Sequence, residues 1–281
     1  MTGSVILNAD DYAMTRGISE GILALAEAGR LSATSAMVTV DHWRNDAAAA
    51  VRLRPRFALG LHLNLTFGAP LGPMPRLAPA GEFPAPDVII GRAVSRSLDR
   101  AEIAAEIDRQ LDRFFEFAGF PPDFVDGHHH VHILPGVREE LVAALARRFP
   151  GGGPLVRDPS DNPLRIVRRR LAAGKALAAA TLAAGFRRLA ADSGLPLNDG
   201  FSGFSTFGDV PYAREFDAFL VGLGSRPMIM CHPGLPDDEL GERDTIRHRR
   251  PEEQGVIAAR DDIPALIWRP ERSIDATGFP W

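Results

Sequence analysis

The chain of 281 residues holds one cysteine, Cys231, so no disulfide can form within it, and that usage fits a reducing compartment. No stretch approaches the roughly 20 apolar residues that a membrane-spanning helix requires, which argues against stable membrane insertion. The first residues show no basic segment followed by an apolar one, so no signal peptide is expected and the expected location is cytoplasmic. Neither sign of charge dominates: Lys and Arg number 32 against 36 Asp and Glu, a formal net charge of −4, and a nucleic-acid partner is not expected. The G-x-S-x-G elbow, the P-loop and the G-x-G-x-x-G fingerprint are all missing. Gly151-Gly152-Gly153 precedes an expected strand rather than a helix, so it reads as a turn and not a phosphate cradle. Cys231 ends an apolar run and reads as a small buried hydrophobe, not a nucleophile.

Hydrophobic residues make up 45% of the chain, enough for one large core. Strand and helix signals alternate from end to end, with no internal repeat or low-complexity linker. The expectation is α/β, a (β/α) barrel, TIM-like or distorted and seven-stranded, as one domain over residues 1–281. Short apolar runs predict strands at residues 4–7, 36–40, 57–61, 124–126, 155–157 and 227–230. Periodic patterns predict helices at 17–29, 46–53, 98–117 and 136–148, and a last one within 245–263 followed by a tail. In the helix at 98–117 the spacing places Ile103, Ile107, Leu111, Phe114 and Phe115 on the buried face and Glu102, Glu106 and Arg109 on the outer one. Residues 68–86 are crowded with Pro and Gly and read as an irregular loop beside a strand end, a candidate lid over a substrate, with Phe83 placed to stack on a ring.

Residues 163–191 carry Arg165, Arg168, Arg169, Arg170, Lys175, Arg187 and Arg188 without an acid, around an Ala/Leu-rich middle. They predict a helical insertion at about 161–193, a surface helix or a pair broken near Gly174 with a solvated basic face. The sharper alternative is contact with an anionic membrane or polymer surface.

Polar clusters stand at the ends of the expected strands: Asp10-Asp11, His62, the run His128-His129-His130 with His132, and His232. In a parallel barrel these ends converge on one face, where such folds place their active sites. Asp10-Asp11 alone would serve equally well as a helix N-cap pair, and His62 alone as a structural histidine. Four imidazoles within five residues have no ordinary packing purpose. One carboxylate and two imidazoles can hold a metal ion while leaving positions open for water and substrate. A second, adjacent carboxylate can accept the water's proton. Arg157, at another strand end, is expected to bind substrate hydroxyls or an anionic group. Two other classes share these features: a non-haem iron oxygenase built on two histidines and a carboxylate, and a sugar- or membrane-binding scaffold without turnover.

Taken together, Asn8-Ala9-Asp10-Asp11-Tyr12, Gly60-Leu61-His62-Leu63-Asn64-Leu65-Thr66, Asp126-Gly127-His128-His129-His130-Val131-His132 and Met230-Cys231-His232-Pro233 resemble the motifs of the YdjC-like carbohydrate deacetylases, also called the ChbG/HpnK family. The motifs keep the family's order and span nearly the whole chain. The resemblance implies a β/α-barrel related to the polysaccharide deacetylases and one divalent metal ion, Mg2+ or Zn2+. It also implies removal of the N-acetyl group from an N-acetylglucosamine-containing oligosaccharide or glycolipid, with release of acetate, and it points to a homodimer. Carried over by motif, Asp11, His62 and His128 are the metal ligands, Asp10 the general base and His232 the general acid. His130 and His132 become contacts to the ligands or to substrate. Tyr12-Ala13 stands where the family commonly has Phe-Gly, and Gly127 where it commonly has Ser. The length of the basic stretch puts the substrate in question more than the reaction.

Overall fold

The computed structural model describes residues 4–208 and 210–270. In chain order the strands are β1 (Ile6–Tyr12), β2 (Ala33–Ala36), β3 (Ala58–Leu63), β4 (Phe124–Gly127), β5 (Leu155–Val156), β6 (Phe201–Ser202) and β7 (Met228–Cys231). Helix α1 (Arg16–Glu27) follows β1, α2 (His42–Leu53) follows β2, and α3 (Pro86–Val94) and α4 (Arg100–Ala118) follow β3. Helix α5 (Val137–Arg148) follows β4. Helices α6 (Pro163–Arg169), α7 (Ala173–Leu182) and α8 (Phe186–Asp192) lie between β5 and β6. Helix α9 (Tyr212–Phe219) precedes β7, and α10 (Arg250–Ala259) and α11 (Ile263–Leu266) come after it.

The strands form one seven-stranded parallel sheet in the order β5-β4-β3-β2-β1-β7-β6. The sheet curls until its edges nearly meet. Val156 of β5 bridges Leu197, a few residues before β6, and its N–H donates to Pro196 O at 2.8 Å. The result is a distorted barrel with one bridge at its seam, in keeping with the fold class expected from the sequence.

The interior of the barrel explains the unusual composition of its strands. One cluster takes Ile6, Ala33, Ala58, Phe124, Leu155, Phe201 and Met228, one side chain from each strand, and closes the barrel with an apolar layer. Because strand side chains alternate, the next inward positions are Asn8, Ser35, Gly60, Asp126 and Met230, and above them stand Asp10 and His62. The small residues at Ala58 and Gly60 leave room for the Phe124 ring: a Cβ on Gly60 would sit 2.5 to 2.6 Å from three of its atoms. The outward faces of the strands join the main core, with Ile18, Ile22, Ile103, Ile107 and Phe114 of the surrounding helices.

Some expectations shift. The second strand lies at Ala33–Ala36, not 36–40, because Thr34 and Ser35 are barrel positions: Thr34 Oγ1 donates to Ala9 O at 2.6 Å and Ser35 faces inward. On α4, Glu106 is fully buried and Phe115 is 55% exposed, the reverse of the expected faces. Glu106 is drawn inside because it accepts from Leu71 N–H at 3.1 Å and from Gln110 Nε2 at 2.9 Å, pinning the loop over the helix. The basic stretch is three short helices, with one break at residues 170–172, close to the one expected near Gly174, and a second, unexpected one at 183–185. Arg169 is not on a solvated face; its guanidinium donates to Phe201 O at 2.7 Å and Val221 O at 3.0 Å. The expected tail after the last helix reaches into 271–281, outside the described residues.

Candidate metal centre

Asp10 and Asp11 are neighbours in β1, and a regular strand would turn them to opposite faces. The β1–β2 register slips between Ala9 and Tyr12, and Asp11 takes φ +71°. That bulge lets both carboxylates line one cavity of about 790 Å³ at the C-terminal mouth of the barrel. A second distortion follows β4. His129 and His130 adopt φ of +51° and +57°, conformations that cost about 1 to 3 kcal/mol each and that persist only where surrounding structure enforces them. As a result His128, His129 and His130 all face the cavity.

Donor atoms of Asp11, His62 and His128 lie within 4.8 Å of one another. Asp11 Oδ1 is 3.2 Å from His62 Nε2 and 2.9 Å from His128 Nδ1. The other side of the His62 ring is anchored: Nδ1 lies 2.7 Å from Asp126 Oδ1 and 3.1 Å from Ser35 Oγ. His62 Nε2 is buried and, beyond its 3.2 Å contact with Asp11 Oδ1, meets no other polar partner. An imidazole fixed by a carboxylate behind it and open in front is the usual setting of a metal-ligating histidine.

Arg157 is fully buried and does not reach out to substrate, because it is held beneath the carboxylates. Its Nη1 donates to both oxygens of Asp10, at 2.7 and 2.9 Å, and lies 2.9 Å from Asp126 Oδ2. Asn8 Nδ2 donates to Asp10 Oδ1 at 2.6 Å. On the far side Arg250, from the start of α10, donates through Nη2 to Asp11 Oδ2 at 2.7 Å and through Nε to Asp244 Oδ2 at 2.7 Å.

Among the described residues, four buried carboxylates (Asp10, Asp11, Asp126, Asp244) thus face two buried guanidinium groups. With the imidazoles neutral, as ligation requires, the two uncompensated negative charges match one divalent cation, and an uncompensated buried charge is costly. The imbalance shows in the titration of the site. Burial pushes the His62 imidazole down, yet Asp126, Asp10 and Asp11 outweigh it and carry it up to about 10. Burial likewise opposes charge on Asp11, but Arg250 and the two histidines hold its carboxyl well below the usual range. The donor set, its charge and the open Nε2 all fit a divalent ion.

The remaining expected residues separate. His232 lines the cavity; its N–H donates to Glu253 Oε2 at 2.6 Å and its ring stands edge-on to Phe207 at 6.3 Å. Burial lowers its imidazole to about 4, against the pull of Asp10 and Asp11. His130 lines the cavity between Phe201 and Phe204. His132 turns back into the core, where Nε2 meets Arg157 O at 2.8 Å. The loop at 68–86 forms a wall of the cavity through Gly68, Glu82, Phe83, Ala85 and Pro86. Sequence reasoning gave no role to Asn8, Ser35, Asp126, Arg250 or Glu253. Asn8 and Asp126 could have been found from the alternation along their strands, since each shares an inward face with a named residue. Arg250 carries no such signal.

Comparison with known proteins agrees with this architecture. Two curated relatives, each named chitooligosaccharide deacetylase, come from Enterobacter sp. (strain 638) and Yersinia pestis (strain Pestoides F). They are 39% identical over 147 residues and 42% identical over 145 residues. Each alignment covers 51% of this chain, and the chain spans only about half of each relative, 56% and 55%. A crystal structure from Enterococcus faecalis V583, of a protein provisionally named for cellobiose-phosphate cleavage, superposes with a TM-score of 0.72 over 96% of this chain and 98% of that one. At 21% identity, that likeness speaks for the fold alone. The model of the YdjC-like protein family matches residues 4–262, so the chain belongs to that family.

Proposed function

We propose that the chain is a metal-dependent hydrolase that removes the N-acetyl group from an N-acetylated sugar and releases acetate. The observation that carries this reading is the convergence of Asp11, His62 and His128 beside a second carboxylate, Asp10, in one cavity. The curated relatives' names support it, and they make an N-acetylglucosamine oligosaccharide the first substrate to test. The cavity's volume lies within the range of small-molecule sites. The oxygenase alternative leaves the adjacent acid without a task.

Asp11, His62 and His128 would hold the ion. Two imidazole nitrogens and one carboxylate suit Zn2+ better than Mg2+, which prefers oxygen ligands. When bound, such an ion supplies Lewis acidity, lowering the pKa of water and stabilising a developing oxyanion.

The chain's own groups do the rest. Asp10, held by Arg157 and Asn8, cannot swing away and is aimed to take a proton from the attacking water. His232 sits where both Asp10 and Asp11 act on it electrostatically. Burial keeps its ring uncharged near neutral pH. The proton that reaches the leaving amine is therefore the one Asp10 takes from the water at attack, passed on to His232 and from it to the amine, not one stored on His232 beforehand. Phe67, Phe83, Phe204 and Phe207 give the cavity apolar walls that exclude water and can stack on sugar faces.

The test is acetate release from a panel running from N-acetylglucosamine through chitooligosaccharides to lipid-linked sugars, with and without chelator and with Zn2+ or Mg2+ restored. Chelator-sensitive release is expected from at least one substrate. Release that chelator does not touch would overturn the metal-dependent reading.

A further inference from the structure

Asp11 has two oxygens, and the structure gives them different neighbours. Oδ1 faces His62 and His128. Oδ2 receives Arg250 Nη2 at 2.7 Å. Both partners of this ion pair are tethered by other contacts. Asp11 stands on a left-handed backbone at φ +71°, and its Oδ1 is engaged by His62 and His128. Arg250 is fixed by Asp244 at 2.7 Å on Nε, and Met14 Sδ lies 3.9 Å from Nη2. Gly234 lies close along the arginine stem, where an added Cβ would stand 3.5 Å from Cδ. Arg250 and Asp11 are each 1% exposed, so solvent does not screen the pair.

We propose that Arg250 is a positioning residue that confines Asp11 to one-oxygen ligation and weakens the site's hold on its divalent ion. This rests on the reading that Asp11, His62 and His128 bind that ion. A free carboxylate can offer both oxygens and occupy two coordination positions. With Oδ2 committed to a guanidinium, Asp11 fills one, and the others stay open for water and substrate. The fixed positive charge also competes with the ion for the carboxylate's electron density. The expected cost in affinity is balanced by a more electrophilic ion.

The experiment titrates metal-stripped full-length protein with Zn2+ by calorimetry and records the visible spectrum of the Co2+ form, whose intensity reports coordination number. Arg250→Met is expected to bind Zn2+ at least about ten-fold more tightly, a change of about 1.4 kcal/mol, and to give a weaker Co2+ spectrum as Asp11 takes a second position. Arg250→Lys keeps the charge, provides a second variant should the first fail to fold, and is expected to stay near wild-type affinity. Unchanged or weaker Zn2+ binding by folded Arg250→Met, with an unaltered Co2+ spectrum, would overturn the proposal and leave Arg250 as a scaffold for Asp11. Asp11→Ala and His62→Ala separate this from failure of the underlying site. If they bind Zn2+ like wild type, the ligand assignment itself is wrong.

Discussion

A carboxylate that meets His62 Nδ1 at 2.7 Å, Ser35 at 2.9 Å and Arg157 at 2.9 Å, as Asp126 does, cannot turn without unmaking all three contacts. It sets the His62 ring so that Nε2 faces Asp11. Replacing Asp126 with Asn keeps the shape but removes the charge that makes His62 a strong donor. Asp126→Asn is expected to lower Zn2+ affinity by about 10- to 100-fold, the usual effect of losing such a partner; calorimetry showing no change would mean that His62 is oriented by packing alone. At this scale the sequence displayed residue types well and their partners poorly. Asp10, Asp11, His62, His128 and His232 were visible because acids and imidazoles at strand ends are unusual. Arg157 was visible too, but its direction was not. An arginine at a strand end reads as reaching outward, whereas here three carboxylate contacts draw it in. Arg250 was invisible, since its partner Asp11 lies 239 residues away.

Among the elements, β3 shows how narrowly the barrel is filled. Gly60 lies against the Phe124 ring, which has 0% exposure and belongs to the apolar layer closing the barrel. Gly60→Ala is expected to destabilise the fold by about 1 to 3 kcal/mol through overpacking, read by denaturant unfolding, and Phe124→Leu in the same chain should recover part of the loss. Wild-type stability in Gly60→Ala would show that the ring has space to retreat. Long periodic elements were legible: α1, α4 and α5 lie within a few residues of where apolar spacing and caps place them. On α4, Asp99 accepts from Ala101 N–H at 3.0 Å, and Gly119 ends the helix at φ +81°. Short elements were not. β6 has two residues and carries no period. β2 is Ala33-Thr34-Ser35-Ala36, with the small side chains of Ala33 and Ser35 turned into a narrow barrel, so a single β-branched residue, Thr34, is left to signal a strand. The two φ-positive histidines were also beyond pattern reading, since His adopts that conformation more often than most residues but only occasionally.

For the molecule as a whole, the buried acid Glu253 ties α10 to the end of β7 through His232 N–H at 2.6 Å. Burial raises its carboxyl to about 7, against the lowering effects of that donor and of Arg250 and Arg249. Its folded value lies above the unfolded value of 4.5, so the folded protein holds the extra proton. That stabilisation is complete below about pH 4.5 and is lost as pH rises through 7, amounting to about 3 kcal/mol. Glu253→Gln cannot titrate. The stability difference between wild type and this variant should therefore drift by about that amount between pH 4.5 and 7, in the variant's favour; parallel pH profiles would place the Glu253 pKa in the ordinary range. The barrel class was readable at this scale because strand and helix signals alternate throughout, while the seam at Val156 and Leu197 and the three-helix form of the insertion depend on contacts that no local pattern encodes. On the proposed reading, Asp11, His62 and His128 hold a divalent ion in one cavity while Asp10 stands apart as the base. Bound metal and acetate release, measured together in Asp10→Asn, separate these roles: one equivalent of metal is expected, as in wild type, with turnover reduced by at least about 10²-fold. Metal lost along with activity, or activity retained, would contradict it.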